Sequence, residues 1–163
     1  WHAGKAPDGM DSFAEPVPVE WPEFRLGLLL LSCKEKKIGS RPAMIQTTKT
    51  SALYASWPAK VAADLGTIKD ALKNRDFKKL GAAAESNALA MHATMMAAQP
   101  PILYWLPESV AAMQKIWNLR QDGLDLYFTM DAGPNIKLLF LADREAEIRS
   151  AFPEVKIVAP FQA

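Results

Sequence analysis

The amino-acid sequence predicts an α+β domain in which helices pack on a small antiparallel sheet. The first observation is that helical patterns follow one another through the middle of the chain, whereas strand patterns occur only before and after them. The second is that the strands are too few, and the helices too grouped, for a doubly wound parallel sheet. The third is the length of 163 residues with 50% hydrophobic residues, which is ordinary for one soluble globular domain.

The first predicted strand is Arg25–Cys33. Its leucines run continuously instead of alternating with polar residues, which indicates a central strand covered on both faces. Cys33 ends this strand and is predicted to lie in the core. Because it is the only cysteine, the sequence has no disulfide framework and no cysteine metal cluster, which favours a reducing, cytoplasmic compartment. The following run, Lys34–Lys37, is predicted to be a solvated connection.

Three helices are predicted after this connection. Ser40 is a suitable N-cap and Pro42 is tolerated in a first turn, so a helix is expected from about Pro42 to Ser51, with its end near Trp57-Pro58. Two more helices are predicted, because apolar residues recur at helical spacing in two successive stretches. Asn74-Arg75-Asp76 breaks the pattern between them and offers an N-cap for the second. Their stripes are Val61, Leu65, Ile68 and Leu72, and then Phe77, Leu80, Ala84, Ala88, Met91 and Met95. Pro100 and Pro101 end the last of them near Ala98.

The final third of the chain predicts a helix, a hairpin, a helix and a strand. Ile102–Leu106 is expected to be a short extended piece, and Pro107 opens a helix that Gly123 ends. Leu124–Met130 alternates apolar and polar residues, which is typical of a half-buried strand. This strand and Ile136–Leu141 are expected to form an antiparallel hairpin. Asp143–Phe152 is the last predicted helix and Val155–Val158 the last predicted strand.

Asp131 is the first candidate functional residue, because it lies where a rigid strand ends and a tight loop begins. Gly133 and Pro134 are expected to turn the backbone sharply, and small residues there let a ligand approach the main chain. A carboxylate held at the end of a rigid strand is suited to act as a general base or to hold the substrate in place. The alternative is a simple hairpin turn, and the five residues Asp131–Asn135 taken alone favour that turn.

Ser40 and Arg41 form a second candidate site, at the start of a predicted helix. Backbone N–H groups and the helix dipole favour an anion there, and the Arg41 guanidinium matches a phosphate. The alternative is a capped helix with a solvated arginine, and these residues alone do not decide between the two.

His92 has no histidine or cysteine partner at metal spacing, so a structural role at a helix interface is expected and no metal site is predicted.

The composition argues against several partners. The formal net charge of +1 gives no global electrostatic reason to bind nucleic acid or an acidic membrane. The longest strongly apolar stretch, Leu26–Leu31, is too short to span a bilayer, and no signal peptide is visible. Residues 1–24 show no periodic apolar face, yet contain Trp1, Phe13, Trp21 and Phe24. We therefore expect them to be the tail of a preceding N-terminal domain, with the domain proper spanning residues 25–163.

Four stretches resemble the diphosphomevalonate decarboxylase family, and they occur in the family's order across almost the whole chain. They are Lys5–Ser12, Lys36–Met44 with Thr47–Ser51, Asp76-Phe77 through Glu85–Thr94 to Pro100-Pro101, and Phe128–Asn135. No single stretch is specific, but the combination is. The resemblance implies a C-terminal domain of the GHMP kinase superfamily type. It also implies that the loop for the ATP phosphates belongs to an upstream part, and the isolated chain is accordingly expected not to turn over substrate.

The resemblance also implies roles for particular residues. Asp131 falls on the family's catalytic aspartate, Ser40 and Arg41 on its diphosphate contacts, and Ala132 and Gly133 on the adjoining substrate-binding loop. The implied reaction uses ATP and Mg²⁺, bound mainly by the N-terminal part. It converts 5-diphosphomevalonate to isopentenyl diphosphate, with release of carbon dioxide, ADP and phosphate. The small-molecule substrate is the implied partner, together with a possible homodimer.

Three alternatives stay open. Gly39 and Pro42-Ala43 depart from the family pattern in the diphosphate loop, which leaves open a decarboxylase that acts on phosphomevalonate. A GHMP-family small-molecule kinase is the second alternative, although Asp131 favours the decarboxylase, because the kinases generally lack this aspartate. A non-catalytic ligand-binding module is the third.

Overall fold

The computed structural model describes residues 2, 4–6 and 10–161, which form a four-stranded antiparallel sheet with five α-helices packed around it. The strands are β1 (Phe24–Leu29), β2 (Tyr127–Thr129), β3 (Ile136–Leu141) and β4 (Lys156–Val158), in the order β2-β3-β1-β4. The helices are α1 (Ser40–Thr50), α2 (Trp57–Asn74), α3 (Phe77–Met96), α4 (Pro107–Gln121) and α5 (Glu145–Ala151). The predicted α+β class is therefore confirmed.

Each face of the sheet carries an apolar cluster. On one face, β3 residues such as Leu138 and Phe140 pack against Met113 and Ile116 of α4 and against Ile148 of α5. On the other face, alternate strand residues pack with α2 and α3; they include Phe24, Tyr127 and Leu139. Burial on both faces of a small sheet makes it a rigid support for the loops at its ends.

The predicted hairpin is confirmed, because β2 and β3 pair antiparallel with Tyr127 opposite Leu139 and Thr129 opposite Lys137. The half-buried character predicted for its first strand is wrong, since Tyr127 is buried as well as Leu126 and Phe128. The reason is Gly81 of α3, where a Cβ atom would lie only 2.2 Å from the Tyr127 ring. The missing side chain lets α3 cover the face that was expected to meet solvent.

The first strand is central, as predicted, but it is shorter than Arg25–Cys33. β1 pairs with β3 on one side and β4 on the other, and the pairing with β3 ends where Leu29 lies opposite Ile136. Beyond this point the chain leaves the sheet. Cys33 is therefore exposed in a loop, and the prediction that it lies in the core is wrong.

Two helix starts differ from the prediction. Gly39 occupies the N-cap position instead of Ser40, because the Gly39 carbonyl accepts the first helical hydrogen bond, from Ala43 N at 3.1 Å. Trp57-Pro58 begins α2 and does not end α1, since proline is well accommodated in a first helical turn. The cap at Asp76 is confirmed: its side chain accepts a hydrogen bond from Lys79 N at 3.0 Å. Gly123 follows α4 with a φ of +96°, as its predicted role requires.

The division into a tail and a domain stays a prediction. Residues 1, 3 and 7–9 of the proposed tail and residues 162–163 of the proposed domain lie outside the described residues. Within the described part, Trp21 packs with Phe24 and Phe77 in the cluster beside α2 and α3. Among the helices described here, none combines the length and apolar character needed to cross a membrane.

Candidate active site

Asp131 lies in the loop between β2 and β3, on a backbone that is fixed by hydrogen bonds. Gly133 N donates to the Asp131 carbonyl oxygen at 2.8 Å, which closes a γ-turn centred on Ala132. The side chain of Asp131 is 68% exposed. The loop therefore presents a carboxylate to solvent from a defined main-chain conformation.

Side chains from other elements hold both ends of this loop. His92 on α3 donates from Nε2 to the Asp131 carbonyl oxygen at 3.0 Å, because a carbonyl can only accept. Ser109 on α4 donates to the Pro134 carbonyl oxygen at 2.8 Å. Within the loop itself, the Asn135 amide oxygen accepts from Leu31 N and Ser32 N, at 2.8 and 3.0 Å, beyond the end of β1.

One lysine pairs with the Asp131 carboxylate, and a second borders the space beside Gly133. Lys137 Nζ is 3.3 Å from Asp131 Oδ2, and Lys137 extends from the strand position opposite Thr129. Lys36 approaches from the connection after β1. A Cβ atom on Gly133 would lie 3.6 Å from both Lys36 Nζ and Asp131 Oδ1. Because glycine occupies this position, a carboxylate and an ammonium group border the same small space.

The run Lys34–Lys37 is exposed, as predicted, but the sequence analysis did not select Lys36 as a candidate site residue. Its ammonium group also lies 5.8 Å from the centre of the Tyr104 ring. The Tyr104 hydroxyl in turn donates to the Ile38 carbonyl oxygen at 2.9 Å, which fixes the connection next to the loop. No pattern within the run itself distinguishes Lys36 from its neighbours.

The start of α1 has the properties of an anion site. No side chain caps it, and its first turn has no acidic residue. Pro42 has no N–H group, so the backbone donors without an intrahelical partner here are those of Ser40, Arg41 and the N-cap Gly39. Both residues are exposed. The connection that precedes them contains Lys34, Lys36 and Lys37 against one acidic residue, Glu35, so its net positive charge increases the potential at this helix end.

The two candidate segments are joined through a shared apolar cluster. Ala43 of α1, Met95, Ala98, Ile102 and Tyr104 form this cluster, and Ile38 and Ala132 pack against it. Among the described residues, neither Ser40 nor Arg41 hydrogen-bonds to the Asp131 loop; the Arg41 Nη1 group lies 3.7 Å from Met10 Sδ. The structure thus brings Asp131, Ala132, Gly133 and Lys36 together, with Ser40 and Arg41 at the adjoining helix end.

His92 is buried, as expected for a structural histidine, but the sequence analysis missed its contact with the Asp131 loop. The ring is 2% exposed and packs against Tyr104 and Trp105. Burial lowers the pKa of His92 below its ordinary value, partly opposed by the hydrogen bond to the Asp131 carbonyl and by the Asp131 charge. Among the described residues, no group of three or more histidine, cysteine or acidic side chains is arranged to hold a metal ion.

The lowered pKa of His92 predicts that the chain loses stability as the pH falls. In the unfolded chain this histidine takes up a proton near pH 6.5, whereas in the folded chain burial opposes protonation. The contribution of His92 to the free energy of unfolding is therefore complete above about pH 6.5 and is lost as the pH falls. We expect the free energy of unfolding, measured by urea titration in a His2→Gln background, to fall as the pH is lowered from about 6.5. His92→Gln should remove this part of the slope, and an unchanged slope would contradict the assignment.

Comparison with known proteins gives a consistent result. A family model of the mevalonate 5-diphosphate decarboxylase C-terminal domain matches residues 28–159. The diphosphomevalonate decarboxylase of Aspergillus fumigatus is 33% identical over 153 residues, which cover 91% of this chain and 38% of that protein. The chain thus spans less than half the length of this relative.

Solved structures agree with this result. The mevalonate pyrophosphate decarboxylase of Streptococcus pyogenes superposes with a TM-score of 0.78 and 35% identity, covering 90% of this chain and 46% of that one. A complex of the protein designated MDDEF with MVAPP, AMPPCP and magnesium superposes with a TM-score of 0.79 and 35% identity. That match covers 83% of this chain and 43% of the other.

Proposed function

Because the chain belongs to the mevalonate 5-diphosphate decarboxylase family, through its C-terminal domain, we propose that it supplies part of the active site of such an enzyme. The proposed reaction is the ATP-dependent decarboxylation of 5-diphosphomevalonate to isopentenyl diphosphate, with release of ADP, phosphate and carbon dioxide. One observation carries the proposal. An exposed carboxylate, Asp131, lies on a fixed loop, pairs with Lys137 and borders a space beside Gly133 that the Lys36 ammonium group also borders.

Asp131 is proposed as the catalytic residue. A carboxylate can accept the proton of the substrate's tertiary hydroxyl, or orient that hydroxyl, while the hydroxyl oxygen attacks the terminal phosphorus of ATP. The phosphate then leaves with the electrons of its bond to carbon, and the electrons of the bond to the substrate carboxylate form the carbon–carbon double bond as carbon dioxide is lost. The exposure of Asp131, together with its fixed main chain, suits a base that must meet substrate from solvent.

Ser40 and Arg41 are proposed to bind the substrate diphosphate. The two backbone N–H groups, the helix dipole and the guanidinium together favour a multiply charged anion. Ala132 and Gly133 are proposed to let the substrate approach the main chain beside Asp131. Lys36 borders the same space and adds a positive charge for phosphate oxygens, which extends the set of candidate residues beyond those found from sequence.

ATP and Mg²⁺ are proposed cofactors of the whole enzyme, bound mainly by its N-terminal part. The described residues contain no cluster of acidic or histidine side chains that would hold Mg²⁺ by themselves. Magnesium bound to the ATP phosphates would neutralise charge on the transferring group. The residues of this chain fit a site for the substrate and for the phosphoryl acceptor better than a site for the metal. Membership of the GHMP kinase superfamily, a cytoplasmic location and a homodimer are further parts of the proposal.

The direct test is an assay on the complete gene product that contains this chain. Carbon dioxide and ADP should appear together, in equal amounts, when 5-diphosphomevalonate and ATP are both present, and neither should appear when one is left out. ADP without carbon dioxide would favour a small-molecule kinase. No turnover, with substrate still bound, would favour a ligand-binding module.

A phosphomevalonate decarboxylase is the second candidate, and one observation favours it. Pro42 removes a backbone donor from the first turn of α1, so this helix end offers fewer N–H groups to a diphosphate than a turn without proline. The same assay with mevalonate 5-phosphate distinguishes the two candidates by the ratio of kcat/KM.

Arg41→Ala is expected to lower kcat/KM for 5-diphosphomevalonate. Loss of a charge-assisted contact costs about 1.5–3 kcal/mol, which corresponds to roughly 10- to 100-fold. Lys49→Ala is the matched control, because it removes an exposed cation from the opposite end of the same helix. Equal kinetics for the two variants would rule Arg41 out as a substrate contact.

A further inference from the structure

We propose that His92 is a positioning residue for the reaction, which fixes the direction of Asp131 by donating a hydrogen bond from Nε2 to the Asp131 carbonyl oxygen. The inference rests on the proposed catalytic role of Asp131. It adds to that role a residue from another element, 39 positions earlier in the chain.

The direction of the Asp131 side chain depends on its own backbone. The carboxylate is 68% exposed, and its ion pair among the described residues is with Lys137, at 3.3 Å. A single ion pair at this exposure is weakly restraining, because exposed pairs contribute little energy. The orientation of the Asp131 peptide therefore decides where the carboxylate points.

The Asp131 carbonyl oxygen accepts two hydrogen bonds. Gly133 N donates at 2.8 Å from within the γ-turn, and His92 Nε2 donates at 3.0 Å from α3. The first bond is local and moves with the loop. The second connects the loop to α3, a long helix that packs against β2 and α2. Of the two hydrogen bonds, only this one fixes the position of the loop relative to the rest of the domain.

The two ends of the loop are held by different side chains. Ser109 and Asn135 fix the end near Pro134, through the Pro134 carbonyl and through Leu31 and Ser32. Among the described residues, His92 is the side chain that hydrogen-bonds to the Asp131 end. Removing its donor should release the Asp131 end, while the other end stays in place.

The surroundings of His92 keep its donor at Nε2. The ring is buried between Tyr104 and Trp105, at centroid distances of 6.4 and 5.2 Å. Burial lowers the pKa, so the ring is neutral at neutral pH and carries its proton on the nitrogen that faces the carbonyl. Because a buried N–H group needs an acceptor, this hydrogen bond is retained in the folded domain.

Two substitutions test the hydrogen-bond donor and the aromatic ring of His92 separately. His92→Phe keeps an aromatic ring of similar size and removes the donor. His92→Gln removes the ring and places an amide N–H near the position of Nε2. Leu80→Met is the matched control, because Leu80 is similarly buried on α3 but packs in the cluster around Phe24 and Phe77, away from the loop.

The test measures kcat, KM and the melting temperature of each variant in the complete gene product. We expect His92→Phe to lower kcat by roughly 10- to 100-fold, with KM changed less than about twofold, because a small misplacement of a catalytic group has effects of this size. His92→Gln should restore most of kcat, and Leu80→Met should match wild type. Wild-type kcat in His92→Phe, or equal losses in the Phe and Gln variants, would overturn the inference.

The NMR order parameter of the Gly133 amide gives a readout that does not depend on activity. Once released from α3, the Asp131 end of the loop moves with its γ-turn intact, so this order parameter should be lower in His92→Phe than in wild type or His92→Gln. An unchanged order parameter would overturn the positioning role. If the wild-type protein releases no carbon dioxide, the proposed function fails, whereas the order parameters still decide whether His92 fixes the loop.

Discussion

Asp131→Asn is expected to lower kcat for decarboxylation by about 100- to 10,000-fold, the usual contribution of a general base. Asparagine keeps the shape of the side chain and removes its charge and its capacity to accept a proton. The γ-turn and the hydrogen bonds that hold it involve main-chain atoms of Asp131, so they survive the substitution. The melting temperature and KM should therefore stay close to wild type.

Asp143→Asn is the matched control for this variant. Asp143 follows β3, is 66% exposed and pairs with Arg144, so it resembles Asp131 in exposure and in having one cationic neighbour. The control should retain wild-type turnover. Asparagine is itself a common turn residue, so a loop that served only as a turn would tolerate Asp131→Asn. Retention of more than about a tenth of wild-type turnover would show that the loop is only a turn.

Arg120→Met is expected to destabilise the domain by about 3–5 kcal/mol, because it leaves a buried charge without its partner. Arg120 Nη2 lies 2.5 Å from Glu85 Oε2, and Glu85 is 10% exposed. Arg120 Nε also donates to the Leu126 carbonyl at 2.8 Å, and its guanidinium lies 4.0 Å from the centre of the Tyr127 ring. The arginine thereby connects α3, α4 and the start of β2.

The reason for this loss can be tested with a double variant measured by urea unfolding. Glu85→Gln combined with Arg120→Met removes both charges and keeps an acceptor for Trp117 Nε1, which donates to Glu85 Oε1 at 2.7 Å. This variant should be more stable than Arg120→Met alone. Arg149→Met breaks an exposed pair with Glu145 and should cost less than about 1 kcal/mol. Similar losses in Arg120→Met and Arg149→Met would contradict the account of the buried pair.

The fold could be predicted well from sequence where a local signal determines the structure. Asp76 caps α3 through its own side chain, and Gly123 ends α4 because its positive φ suits glycine. Predictions failed where the outcome depends on a distant residue. Tyr127 is buried because Gly81, far away in sequence, leaves room for its ring. Cys33 is exposed because β3 begins at Ile136, opposite Leu29, and the strand ends there.

The candidate site shows the same limit. Asp131 and Ser40 could be selected from sequence because strand ends and helix starts have local patterns. Lys36 and His92 could not be selected in this way. Nothing in a lysine-rich run indicates which lysine lies beside a loop about 100 residues later in the chain. Nothing in a helical stripe indicates which residue hydrogen-bonds to a loop about 40 residues later. Tertiary contacts between separate elements supply that information.

The central claim is that Asp131 acts on the substrate hydroxyl during phosphoryl transfer, before carbon dioxide leaves. The most direct measurement is a rapid-quench experiment on Asp131→Asn, in the complete gene product, which follows ADP and carbon dioxide through the first turnover. The account predicts that formation of both products slows by the same factor. ADP formed at the wild-type rate, with a loss confined to carbon dioxide, would contradict it.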